Sequence, residues 1–210
     1  MHEKVLPKGS KALLAWLETN AASIFQEWTL AGGTGLALWL GHRISEDFDF
    51  FRTEGMDANL LHQLFKGYGA YETLQEAEYT LTVLVEGTKI SFFQIPDPFL
   101  FESTSYRSLL LADIRDIALM KLVAISGRGS RKDFVDLYTI LRDGPILQDF
   151  FQLLPEKYGP GRANVYHILK SLTYFEDAEQ EPPPTMLEPF DWEECKAFFV
   201  REAHAIVLPD

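Results

Sequence analysis

Residues 47–51 read Asp-Phe-Asp-Phe-Phe, and this alternation constrains the fold more than any other stretch. Alternating polar and aromatic residues predict a strand whose successive side chains point to opposite faces. The aromatics Phe48, Phe50 and Phe51 anchor that strand in a core. Asp47 and Asp49 then share a face, roughly 6–7 Å apart along the chain. Two such carboxylates repel each other, so a divalent cation or a basic partner is expected beside them. Oxygen ligands of this kind suit Mg²⁺, which completes its octahedron with water and substrate phosphates. The plainer alternative is a solvated edge strand with two surface acids.

A second feature lies upstream. Trp28–Leu30 reads as a short strand leading into Ala31-Gly32-Gly33-Thr34, with a helix from Thr34 to about Leu40. Glycines at such a turn let backbone approach a ligand closely. The N–H groups at the helix start can receive an anion such as a triphosphate, and the Thr34 hydroxyl can add a hydrogen bond. Alone, Gly-Gly is equally the mark of a tight turn.

Around these motifs the chain reads as α+β. Ser10 is placed as the N-cap of a helix over Lys11–Gln26, and Asp57 as the cap of a helix containing Leu60, Leu61, Leu64 and Phe65. Strands follow at Tyr71–Gln75, Tyr79–Val85 and Lys89–Ile95, the last two joined by a turn at Glu86-Gly87-Thr88 that fits a hairpin. From Asp113 onward the pattern is helical: Asp113–Ser126, Arg131–Leu141, Pro145–Lys157, Gly161–Glu176 and Trp192–Ile206. Glu181-Pro182-Pro183-Pro184 reads as a stiff extended connector. The expected organisation is a small mixed β-sheet core flanked by helices over residues 1–112, then a helical half over 113–210.

Composition excludes some functions. Asp plus Glu number 31 against 19 Lys plus Arg, a net charge of -12, which opposes general coating of DNA. A metal ion or a local basic patch could still recruit phosphate or RNA. Cys195 is the single cysteine, so no disulfide can form within the chain, which suits a cytoplasmic protein. The N-terminus lacks the apolar stretch of a signal peptide, and no apolar run is long enough to span a membrane. His42, His62, His167 and His204 have no ligand spacing with Cys195, so zinc is not expected. Ser126-Gly127-Arg128-Gly129-Ser130, with Arg131 and Lys132, is either a phosphate contact or an ordinary inter-helix loop. Tyr166, Tyr174 and Phe175 are expected in a helix core rather than on a base-stacking surface.

The run Gly32-Gly33-Thr34-Gly35-Leu36-Ala37-Leu38, with Gly41-His42-Arg43-Ile44-Ser45-Glu46-Asp47-Phe48-Asp49 after it, resembles the first motif of the AbiEii/AbiGii toxin family. These are minimal nucleotidyltransferases of the polymerase-β-like superfamily. The family pattern of Gly-Gly-Thr and then Arg-x-Ser-x-Asp-hydrophobic-Asp is complete here. Asp116–Lys121 and Arg128–Tyr138 resemble the later motifs, in which a helix Lys and a Lys-Asp-x-x-Asp-Leu helix complete the site. The similarity runs from about Trp28 to Leu141.

The resemblance implies a Mg²⁺-dependent enzyme moving a nucleoside monophosphate from a nucleoside triphosphate to an acceptor hydroxyl. Asp47 and Asp49 would hold metal. Gly32, Gly33, Thr34, Arg43, Ser45 and Asp136 would bind the nucleotide, Lys121 would contact the triphosphate, and Asp133 would orient it. Partners would be RNA such as tRNA, and an antitoxin protein. A purely structural alternative has Lys121 paired with Asp133 or Asp136, which share a helix face at i, i+3. A Lys in a largely apolar helix is costly unless its charge is paired.

The resemblance also predicts a third carboxylate on the strand Lys89-Ile90-Ser91-Phe92, where this chain has Ser91. A serine hydroxyl cannot act as a base at neutral pH. Two further readings therefore stand beside the enzyme: a non-catalytic nucleotide-binding relative, and an interaction domain whose acidic surface takes a basic partner such as an antitoxin.

Overall fold

The computed structural model describes residues 1–208. The chain falls into two compact units, Met1–Asp113 and the residues from Ile114 onward. In the first unit a 3-10 turn at Glu3–Val5 precedes α1 (Lys8–Asn20), α2 (Ala22–Phe25), β1 (Thr29–Ala31), α3 (Gly32–Leu40), β2 (Phe48–Arg52) and α4 (Ala58–Lys66). Then come β3 (Tyr71–Ala77), β4 (Thr80–Val85), β5 (Thr88–Gln94), β6 (Thr104–Tyr106) and β7 (Leu109–Leu111). The second unit contains α5 (Ile114–Arg128), α6 (Arg131–Leu141), α7 (Leu147–Tyr158), α8 (Val165–Ser171), α9 (Glu176–Gln180) and α10 (Trp192–Ala205). This is the expected α+β class. No helix among the described residues is long and apolar enough to cross a membrane.

The seven strands form one mixed sheet in the order β3-β4-β5-β2-β1-β7-β6. β2 is central: it runs antiparallel to β1 and parallel to β5. Its alternation sorts its faces as the residues require. Phe48 and Phe50 are fully buried, and with Phe25, Trp28, Phe65 and Phe92 they form an aromatic cluster of stacked and edge-on pairs. Each such pair adds about 0.5–1.5 kcal/mol to what burial alone supplies. Asp49 and Phe51 face the other way, and Phe51 stacks on Phe93 of β5 at 5.1 Å between ring centres.

Local chemistry fixes the element ends. Asp57 caps α4 by accepting from the Leu60 N–H at 3.0 Å. Glu86 and Gly87 both have positive φ, 48° and 79°, which is the two-residue type I′ geometry that keeps β4 and β5 in hairpin twist. Gly41 ends α3 at φ 72°, with the His2 ring where a side chain would go. In the second unit Glu181 reaches back to α6: it accepts from the Arg131 N–H at 2.9 Å and from Ser130 Oγ at 2.7 Å.

Several expectations are corrected. Ser10 is not a cap. α1 begins at Lys8, and Ser10 is buried within it, donating to the Glu46 carbonyl at 3.1 Å. The helix expected over 11–26 breaks at Ala21, whose non-helical φ of -141° separates α1 from α2. The helix expected over 161–176 is shorter: Asn164 caps α8 at Val165, α8 ends at Ser171, and α9 begins only at Glu176 after a turn. Strands β6 and β7 were not anticipated. Of the three aromatics placed in a helix core, only Phe175 packs there, against Phe134 and Trp192. Tyr166 and Tyr174 are exposed. In the Ser126–Ser130 joint, Gly129 adopts φ 58° as a helix C-terminal glycine and Ser130 binds Glu181, the arrangement of an inter-helix loop.

Candidate active site

β1 ends at Ala31, which sits in register opposite Asp49 of β2. The next residue, Gly32, takes φ 62°, and a Cβ there would lie 2.5 Å from Asp49 Oδ2. Only glycine meets both demands, a left-handed backbone and a carboxylate pressed against it. At Gly33 a Cβ would collide with the Arg43 guanidinium. Arg43 is 3% exposed and donates through Nη1 to the Ile44 carbonyl at 3.1 Å. The glycine turn is therefore backed by an acid on one side and a buried cation on the other.

Thr34 is also buried. Its hydroxyl donates to the Asp47 carbonyl and lies 2.8 Å from Ser45 Oγ. A hydroxyl has one proton to give, so Ser45 is the donor in the second bond. Both hydroxyls are thus engaged in tying α3 to the segment that delivers Asp47. The turn opens a nine-residue helix, and the first N–H groups of a helix, which lack partners within it, favour anions.

Asp47 lies one residue before β2. Its Oδ2 is 2.8 Å from Lys89 Nζ on β5, with both side chains about two-fifths exposed, at 39% and 44%. Lys89 was missed by sequence reasoning. The signal was available: Lys89 is two residues from Ser91 and shares its face once β5 is set beside β2. Ser91 itself pairs in register with Asp49 and receives a 3.4 Å contact from Thr82 Oγ1. The position where the third carboxylate was expected is thus directly beside the second aspartate, and it is a hydroxyl.

Asp47 and Asp49 are an all-oxygen donor set of two. Among the described residues there is no group of three or more His, Cys, Asp or Glu that could hold a metal. Two carboxylates fit a hard cation that keeps several waters and draws its remaining ligands from phosphate. They do not fit a closed zinc cage.

The remaining sequence candidates lie in the helical unit and form a network of their own. Lys121 Nζ is 2.7 Å from Asp133 Oδ1 and 2.6 Å from Asp136 Oδ2, and both acids have no solvent exposure. Arg128 adds two bonds to Asp133, at 2.7 and 3.0 Å. The structural alternative for Lys121 therefore exists in full, with both acids engaged rather than one. Burial would raise the Asp133 carboxyl, but the Lys121 ammonium and Arg128 guanidinium outweigh it and hold that carboxyl below its ordinary value.

A depressed folded pKa contributes stability that is present above the unfolded value and is lost as pH falls through the folded one. The melting temperature should therefore stay flat from neutral pH to about pH 5 and fall below about pH 4. Asp133→Asn should start lower and show a shallower acid limb. Thermal melts at pH 3 to 7 test this, and parallel acid limbs would remove Asp133 from the account. Cys195 offers no competing chemistry, since burial pushes its thiol up.

Comparison with known proteins supplies the context. A family model described as nucleotidyl transferase AbiEii toxin, type IV toxin–antitoxin system, matches residues 16–206. An uncharacterised protein of Aquifex aeolicus (strain VF5) is 38% identical over 184 residues, covering 85% of this chain and 87% of the relative. Among solved structures, MenT4, a nucleotidyltransferase toxin of Mycobacterium tuberculosis H37Rv, is similar at TM-score 0.59 with 12% identity, covering 93% of this chain and 80% of its own. JHP933 of Helicobacter pylori is similar at TM-score 0.56 with 18% identity, covering 95% and 92%.

Proposed function

The chain belongs to the AbiEii family of nucleotidyltransferase toxins, and from that premise we propose that it transfers a nucleoside monophosphate from a nucleoside triphosphate to an acceptor hydroxyl on RNA or protein. The observation that carries the reading is the register of Ala31 with Asp49, which sets the glycine turn and the acidic strand side by side. Backbone N–H groups of Gly33 and Thr34 receive the phosphates. Arg43 lends positive charge from beneath the turn, and Ser45 and Thr34 hold the Asp47 segment in place. Asp47 and Asp49 hold Mg²⁺, which when bound offsets charge on the triphosphate and on the departing pyrophosphate.

The acceptor oxygen attacks the α-phosphorus, the bond to the β-phosphate oxygen breaks, and pyrophosphate leaves. Ser91 cannot take the hydroxyl proton, so it passes to one of the two aspartates or to water. The roles proposed for Lys121, Asp133 and Asp136 are contact with and orientation of the triphosphate, which rest on the family pattern. An antitoxin partner and a cytoplasmic setting rest on the same basis.

Each of the four labelled nucleoside triphosphates, incubated with the full chain, total tRNA and Mg²⁺, tests the reading. Label should move to RNA or protein with release of pyrophosphate from at least one nucleotide, and EDTA should abolish it. No transfer from any nucleotide, or transfer that survives EDTA, would overturn it. Nucleotide binding without pyrophosphate release would favour the non-catalytic reading, for which Ser91 beside Asp49 is the specific observation.

A further inference from the structure

We propose that Lys89 is a resident cation of the acidic site: it occupies Asp47 before substrate arrives and makes metal entry depend on nucleotide. The inference rests on the reading of Asp47 and Asp49 as metal ligands. The observation behind it is the 2.8 Å contact between Lys89 Nζ and Asp47 Oδ2. An ammonium and a divalent ion cannot share that oxygen without strong like-charge repulsion.

The two side chains are 44% and 39% exposed, so water screens the pair and it exchanges readily. The buried lysine pairs of the helical unit differ, with lysine exposures of 6% at Lys121 and 1% at Lys157. Lys89 also has a place to go. Its flexible four-carbon stem leaves β5 on the face shared with Ser91, which pairs with Asp49. When a metal-bound triphosphate enters, the ammonium can leave Asp47 for a phosphate oxygen. The site then exchanges one cation for another at Asp47. Lys89 thus acts through Asp47 before substrate arrives and touches the phosphate once it has.

The test is Mn²⁺ binding to the full chain, followed by the electron paramagnetic resonance signal of free Mn²⁺, with and without a non-hydrolysable triphosphate analogue. Without nucleotide, Lys89→Met should bind Mn²⁺ roughly fivefold tighter than wild type, the range of a screened ion pair. With the analogue, the variant should lose that advantage and bind more weakly than wild type. Lys89→Gln should match Lys89→Met, and Lys89→Arg should stay near wild type because the charge is kept. Melting temperatures show that the variants are folded, and should one fail to fold, the other neutral variant carries the comparison.

Equal Mn²⁺ affinity of wild type and both neutral variants, with Asp49→Asn abolishing binding, would overturn the role of Lys89 and leave the metal site standing. Absence of Mn²⁺ binding in wild type even with the analogue, or binding indifferent to Asp49→Asn, would overturn the metal reading and this inference with it.

Discussion

Asp49→Ala should lose nucleotidyl transfer by a hundredfold or more, the scale of losing one preorganised electrostatic group in an active site, while its Tm moves by no more than a few degrees. Asp49 stands on the face of β2 opposite Phe48 and Phe50, so the aromatic cluster that holds the sheet does not depend on it. Its carboxylate lies against Gly32, the start of the turn proposed to hold phosphate. Loss of the carboxylate therefore removes charge from the site and leaves packing alone. Calorimetric titration should show nucleotide binding tightened by Mg²⁺ in wild type and insensitive to Mg²⁺ in the variant. For a chain of this length, 1 kcal/mol corresponds to about 2–4 °C. A drop of ten degrees or more would make Asp49 a structural residue. Equal affinity under all conditions would favour a protein that binds partners rather than nucleotides.

Lys157→Met should be strongly destabilising, by about 3–5 kcal/mol, because it takes this cation away from a buried carboxylate. Lys157 Nζ is 2.7 Å from Asp116 Oδ1, with side-chain exposures of 1% and 0%. The bond ties α7 to the first turn of α5, where an aspartate is also favoured by the helix N-terminus. Met approximates the lysine stem in volume, so the cost is electrostatic rather than a cavity. The double variant Asp116→Leu with Lys157→Met removes both charges and should recover most of the loss. Chemical denaturation followed by circular dichroism separates these cases. A single variant within 1 kcal/mol of wild type would mean that water or another donor satisfies Asp116.

These residues also mark what a sequence can reveal. Gly32, Gly33, Thr34, Asp47 and Asp49 are legible because their chemistry is written in local order, a turn and a period of two. Asp133 and Asp136 are legible as neighbours on one helix face, and the Glu86-Gly87 turn as a hairpin. Lys89 and Lys157 were overlooked for the same reason as each other: their partners lie on other elements. Lys157 meets an acid 41 residues earlier in the chain, and no local period encodes that.

β6 and β7 are three residues each, too short to show alternation. The register of β7 with β1 is set by tertiary pairing alone. Ser10 was misplaced because a serine ahead of an apolar run reads as a cap, whereas its side chain tethers α1 to the Glu46 carbonyl.

The order of the sheet has a consequence for the chain as it is synthesised. β3, β4 and β5 pair in succession as hairpins, β5 also pairs with β2 some 40 residues earlier, and β2 meets β1 after a short excursion. β1, however, has β7 as its other neighbour, with Thr29 opposite Leu110, some 80 residues later. Loop closure over that separation is entropically costlier than any of the hairpins. Until Leu109 emerges from the ribosome, the strand that launches the glycine turn is held on one edge only. A nascent chain then carries both aspartates and both glycines while the strand that leads into the turn is still open to solvent on one side.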